Sequence, residues 1–280
     1  MKLVLMGDLH YHEVEESIQG WREARAAFYE ALLERFLVLD ADFHISLGDL
    51  TNYGTTGELT EVFELLRRKE RNFIHVLGNH DLYAQTRREV LEITGGKRYH
   101  AIETDEVTLV FLDTAKEMDH ADWGGWLDDE QLQWLEEVVQ ASGSKPMLVF
   151  GHHPVHQTTT RSERDKGSIH PSIDMWRILR QKEGVGVYFN GHTHVESIVQ
   201  QENWTFVQLP CCLDQHSFRV VELSEQEIRV TAVDYDDEQL TVHAPTLHGH
   251  MPHFSHTPNA RGQANERECV IPCLTALNPQ

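Results

Sequence analysis

Five short apolar runs in this 280-residue chain end in side chains that bind cations or move protons. Residues 3–6 lead into Asp8-Leu9-His10, and residues 43–47 into Gly48-Asp49. Residues 73–77 lead into Gly78-Asn79-His80-Asp81, and residues 147–150 into Gly151-His152-His153. Residues 185–189 are followed, after Asn190, by Gly191-His192-Thr193-His194. Taken singly, an Asp-x-His loop or a Gly-Asp turn means little. Together they bring many Asp and His side chains to strand ends, where burying them without a partner would be costly. A bound cation supplies that partner. Imidazole nitrogen and carboxylate oxygen, with no thiolate, suit Zn, Mn, Fe or Mg better than a structural zinc site. The glycines before Asp49, Asn79, His152 and His192 fit turns where the backbone approaches a ligand closely.

The elements that must position these clusters follow from periodicity. Helical spacing of Trp21, Phe28, Leu32, Phe36 and Leu39 predicts a helix over about residues 20–40. Further helices are expected over 57–69, 128–139 and 173–182, the second of these opening on a capping box between Asp128 and Gln131. Residues 107–112 read as another strand, and from 195 to 233 the chain turns to β, in runs at 195–200, 205–209, 218–223 and 228–233. Early alternation of strand and helix predicts an α/β sheet, whose strand ends gather ligands at one edge. From Asp236 the periodicity fails. His243, His248, His250, His253 and His256 lie among Pro245, Pro252 and Pro258, so residues 236–280 are expected to be an irregular tail: a surface segment, a lid or a dimer contact. The domain proper is expected to be 1–235.

Composition narrows the partners. A net charge of −21 argues against nucleic acid or an anionic membrane as a binding surface. It leaves a small anionic substrate open, because bound cations reverse the local sign. No apolar stretch is long enough to span a membrane, and the first residues read as a strand rather than a signal peptide. A cytoplasmic protein is the expectation. The four cysteines, Cys211, Cys212, Cys269 and Cys273, match no strong zinc pattern and are expected to be free thiols.

In order, the five clusters resemble the five motifs of the calcineurin-like metallophosphoesterase superfamily, over about residues 1–235. The resemblance implies a four-layer α/β/β/α sandwich. It implies two divalent ions (Mn, Fe, Zn or Mg), one held by Asp8, His10, Asp49 and His194, the other by Asp49, Asn79, His152 and His192. Asp49 would bridge them together with a hydroxide that attacks phosphorus. His80 would protonate the leaving oxygen or steady the transition state. The second motif, Gly48-Asp49-Leu50-Thr51-Asn52-Tyr53-Gly54, lacks the Arg found in protein Ser/Thr phosphatases, and Asp81 follows His80. The chain is therefore more similar to the small prokaryotic phosphodiesterase branch, which includes cyclic-nucleotide and glycerophosphodiester hydrolases. The expected activity is hydrolysis of a small phosphodiester. A phosphomonoesterase, a nucleotide pyrophosphatase and a non-catalytic scaffold are the alternatives.

Several other residues are candidates by position. Of the two adjacent histidines before Pro154, His152 is expected to face the ions and His153 to point away. Tyr11, His12, Asn52, Tyr53 and His216 sit in loops that could line a pocket, and Asp113 could support a ligand. A homo-oligomer through the late β-region is conceivable from the pattern.

Overall fold

The alternation of the first strand puts its side chains into two different cores. In the computed structural model, which describes residues 1–273, Leu3 and Leu5 of β1 (Lys2–Met6) join Phe150 and Phe189 in an apolar layer between two sheets. Val4 and Met6 point the other way, into a layer shared with Phe28, Leu32 and Phe36. A strand that is apolar at every position is thus buried on both faces.

The first sheet is built around β1, β2 (Phe43–Ser46) and β3 (Phe73–His75), which run parallel. On its other side β10 (Ser217–Leu223), β11 (Glu227–Asp234) and β12 (Glu268–Pro272) continue antiparallel. The spatial order is β12-β11-β10-β1-β2-β3. The second sheet contains β4 (His100–Glu103), β5 (Thr108–Phe111), β6 (Met147–Phe150), β7 (Gly186–Asn190), β8 (Ser197–Gln201) and β9 (Trp204–Gln208). Its order is β4-β5-β6-β7-β9-β8, with β5, β6, β7 and β9 parallel. Helices cover both outer faces. α1 (Trp21–Val38) and α2 (Thr56–Leu66) pack on the first sheet. α4 (Asp129–Ala141) and α5 (Met175–Leu179) pack on the second. This is the four-layer sandwich, and it brings the carboxyl ends of β1, β2, β3, β6 and β7 to one edge.

Two elements escaped the sequence reading. α3 (Arg87–Thr94) buries only Val90, so its apolar stripe is one residue wide and leaves no periodic signal. β4 is an edge strand whose side chains are half-buried or exposed. The capping box expected at α4 forms by half. Asp128 accepts the Gln131 N–H at 2.9 Å, but the Gln131 amide does not return to the cap. It closes instead on the backbone of Asp113, at 2.8 and 2.7 Å, and ties the helix to the end of β5.

The largest difference lies beyond Asp236. The expected irregular segment is a helix, α6 (Glu238–His248), followed by a loop and the edge strand β12. Asp237 caps the helix by accepting the Gln239 N–H at 3.0 Å. Leu240, Ala244, Leu247 and Met251 recur at helical spacing and enter the core beneath α1. The prolines and histidines between them hid that spacing, although Pro245 is tolerated inside the helix. Downstream, the Arg267 guanidinium pairs with buried Glu196 and, at 2.6 Å, with Asp234, fastening the segment to both sheets. No helix among the described residues is long and apolar enough to cross a membrane.

Candidate active site

The five strand ends converge on the carboxylate of Asp49. Its Oδ2 lies 3.2 Å from His152 Nε2 and 4.0 Å from His10 Nε2. On the His10 side, His10 Nε2 faces His194 Nε2 at 3.2 Å, and His194 Nε2 lies 3.3 Å from Asp8 Oδ2. On the other side, His152 Nε2 is 3.1 Å from Asn79 Oδ1 and 3.2 Å from His192 Nδ1. Asp8, His10, Asp49, Asn79 and His152 are almost fully buried. Nitrogen and oxygen atoms about 3 Å apart suit adjacent ligands of one cation with bonds of roughly 2.0–2.2 Å. Asp8 Oδ1 is buried with no hydrogen-bond partner. An imidazole nitrogen near it, His152 Nδ1 at 3.6 Å, is committed to the Leu47 carbonyl at 2.8 Å. An orphaned carboxylate oxygen at full burial is costly without a cation, so the donor set fits divalent metal.

The outer nitrogens are tied down as ligand imidazoles require. His192 Nε2 lies 2.8 Å from the Lys166 carbonyl, and His194 Nδ1 lies 3.5 Å from Asp214 Oδ2. His153 belongs to the same cluster in space, beside His152 and His192. Both its nitrogens are already engaged, with Thr114 Oγ1 and the Trp123 carbonyl, each at 2.8 Å. Cys211 also approaches His10 and His194. Its sulfur accepts the Leu213 N–H at 3.4 Å, and burial pushes the thiol well above its usual pKa, which suits packing better than ligation.

The backbone is bent to achieve this. His10, Asp49, His192 and His194 all have positive φ, at 50°, 46°, 71° and 60°. A residue other than glycine in that region costs of order 1–3 kcal/mol, and here four such residues turn their donors toward a single point. Two glycines make room. A Cβ on Gly78 would overlap the Asp49 backbone nitrogen and Oδ1, and one on Gly48, where φ is +96°, would enter the His152 ring. Gly78→Ala is therefore expected to give a folded chain whose metal affinity falls by roughly tenfold or more, the scale seen when ligand support is lost. Metal titration of the variant against the parent checks this.

Charge in the site is finely divided. Burial raises Asp8 to about 6 against the opposing pull of His152 and His194. Burial works against a charged His152, but the Asp49 and Asp8 carboxylates outweigh it and lift the ring to about 9. Burial, with His152 beside it, drops His192 to about 3. His80 is held below its ordinary value by burial, against the pull of Asp49. Its Nδ1 sits 2.7 Å from the Asn52 carbonyl, and its backbone N–H donates to Asp49 Oδ1 at 2.8 Å.

Other expected residues are placed elsewhere. Asp81 braces the turn, accepting N–H groups of Gly78 and Thr51, each at 2.9 Å. His12 Nδ1 meets Glu58 at 3.0 Å, and Tyr11 donates to Glu61 at 3.3 Å; neither lines the pocket. His216 packs against Phe28. Asp113 is an ion-pair hub for Arg87 and Arg98, at 2.6 and 2.9 Å, and does not support the metal-type cluster. Asn52 supports His80 as described and also donates to the Pro252 carbonyl at 2.9 Å. Tyr53 stands behind the wall, against Tyr83 and His120.

A cavity of about 650 Å³ opens over the cluster. Its walls include Tyr83, His120, Trp123, Arg161, Arg164 and Phe254, none of which the motifs pointed to. Phe254, from the loop after α6, lies over His194 at 5.6 Å and 29°, and against His10 at 5.1 Å. Asp214 joins the same loop to the site, since it also meets His256 Nδ1 at 2.6 Å and accepts the Thr257 N–H at 3.1 Å. The segment after α6 thus roofs the site. No periodic or motif signal in the sequence marks Asp214 or Phe254.

Comparison with known proteins agrees with this geometry. The chain is 23% identical over 222 residues to the glycerophosphodiester phosphodiesterase GpdQ of Enterobacter lignolyticus, covering 77% of this chain and 78% of that protein. It is 27% identical over 199 residues to a probable cyclic nucleotide phosphodiesterase of Rhodopseudomonas palustris, covering 69% and 72%. Its fold matches the crystal structure of a dimetal phosphatase from Danio rerio with a TM-score of 0.68 and 17% identity, covering 84% of this chain and 97% of that one. Residues 1–196 match the family model of the calcineurin-like phosphoesterases, and the chain belongs to that family.

Proposed function

We propose that this chain hydrolyses small phosphodiesters with two divalent cations. Asp8, His10, Asp49 and His194 would hold one, and Asp49, Asn79, His152 and His192 the other. The observation that carries the proposal is the position of Asp49 Oδ2 between two sets of nitrogen and oxygen donors. When bound, such a pair supplies positive charge to the phosphoryl oxygens and a hydroxide near neutral pH. Mn, Fe, Zn and Mg all suit the donor set.

The chain's own residues do the rest. The Asn52 carbonyl fixes His80 by Nδ1, which leaves Nε2 to exchange a proton. Burial favours the neutral ring, but a phosphate anion beside it works in the opposite direction. Substrate binding therefore favours uptake of a proton from solvent at Nε2, where it is positioned for the leaving oxygen. Asn79 Nδ2 donates to Tyr83 Oη at 2.8 Å, which fixes its Oδ1 toward the cluster. Phe254 covers the His10 side and excludes water from it.

Diester specificity is supported by the relatives' activities and by the cavity, which leaves room for an organic group on each ester oxygen. Chelator-stripped protein reloaded with Mn²⁺, Zn²⁺ or Mg²⁺ is expected to turn over bis(p-nitrophenyl) phosphate faster than p-nitrophenyl phosphate. A monoester preference would reassign the site as a phosphatase with the same ligands.

A further inference from the structure

Arg161 and Arg164 project into the cavity from the segment that joins β6 to α5. In a chain with 45 acidic residues against 24 basic ones, a pocket arginine without a carboxylate is unexpected. Most other arginines here sit against Asp or Glu, as Arg25, Arg87, Arg98, Arg177 and Arg267 do. Neither Arg161 nor Arg164 has a carboxylate within ion-pair distance among the described residues, although Asp165 lines the same wall.

Arg161 is anchored rather than free. Its Nη1 donates to the Thr193 carbonyl at 3.0 Å, between His192 and His194, and to Thr257 Oγ1 at 3.5 Å in the roof. Its Nε and Nη2 make no hydrogen bond among the described residues. Burial, and after it the neighbouring guanidinium of Arg164, lower its pKa against the weaker pull of the Asp214 carboxylate, which lies beyond ion-pair distance. An anion between the two guanidiniums would offset their repulsion, and the planar fork of arginine matches phosphate or carboxylate oxygens.

The cations proposed above would, when bound, already neutralise the scissile phosphate. We infer that Arg161 and Arg164 form a second anion subsite, and that the preferred substrate is a phosphodiester carrying a further phosphate or carboxylate on one ester arm. The inference rests on the phosphodiesterase reading and narrows it to a substrate class. A diester with uncharged arms would leave the two guanidiniums without a partner.

The test compares thymidine 5′-(p-nitrophenyl phosphate) with and without a 3′-phosphate, using the metal-loaded chain. The 3′-phosphorylated ester is expected to have a roughly ten- to hundredfold higher kcat/KM, mostly through KM, the scale of one or two charge-assisted contacts. That ratio should fall to about one in the Arg161→Gln/Arg164→Gln variant. Arg164→Gln alone, which leaves the Thr193 anchor intact, should reduce it by at least about threefold. Equal kcat/KM for the two esters in the parent, or a preference that survives the double substitution, overturns the subsite. If neither ester is turned over, the phosphodiesterase reading fails instead, and binding decides the subsite. Calorimetry of inorganic diphosphate with the chelator-stripped chain should then show affinity falling by roughly tenfold in the double variant. Equal affinity in parent and variant overturns the inference there too.

Discussion

Asp49→Asn is expected to lower phosphodiester turnover by at least about 10³, because it would remove the charge that the two proposed cations share. The substitution is nearly isosteric. It keeps an Oδ1 acceptor for the His80 N–H, now made at 2.8 Å, so the turn carrying His80 should hold. What changes is the charge at Oδ2, 3.2 Å from His152 Nε2 and 4.0 Å from His10 Nε2. Asp8 alone would then offset the two proposed dications. Elemental analysis should show fewer than two ions per chain. The metal-free variant should unfold at a lower temperature than the metal-free parent, since burial is outweighed by His152, His80 and His10, which hold the Asp49 carboxyl well below its ordinary range, and its loss leaves the charged His152 ring less opposed. A variant that retains two ions and full turnover would remove Asp49 from the bridging position.

His80→Ala is expected to lower kcat by about 10²–10⁴ with metal content unchanged, the range for loss of a general acid. His80 can be singled out because its Nδ1 is committed to the Asn52 carbonyl, although its ring also stands edge-on to His10 at 4.6 Å and lies close to Asp49. The leaving group separates catalysis from packing. A p-nitrophenolate departs without a proton, whereas an alkoxide needs one. The loss should therefore be small for bis(p-nitrophenyl) phosphate and large for a dialkyl phosphate. Equal losses on both substrates would assign His80 to support of the Asp49 turn, through its backbone N–H, rather than to proton transfer.

The metal-type cluster was legible in the sequence because it is local. Each donor follows a short apolar strand directly, and a parallel sheet carries all such ends to one edge. His152 is preferred over His153 because Pro154 constrains the turn, and His153 lies beside His152 and His192 with both ring nitrogens engaged, by Thr114 and the Trp123 carbonyl. The pocket walls were not legible. Arg161, Trp123 and Phe254 reach the site from loops whose course depends on tertiary packing. Asp214 meets His194 only because β9 and β10 bring a distant turn back to the edge. The helix α6 was hidden by residues that usually break helices, while its three buried side chains, and Met251 just beyond it, kept the spacing. Asp113 misled for the opposite reason: its position after β5 resembles that of a ligand, yet two arginines claim it.

The most direct test is to titrate Mn²⁺ into the chelator-stripped chain while following hydrolysis of bis(p-nitrophenyl) phosphate. Two donor sets sharing Asp49 predict that turnover appears with metal and saturates at two equivalents. Turnover in the stripped chain, saturation at one equivalent, or no turnover with two ions bound would each contradict a two-cation phosphodiesterase.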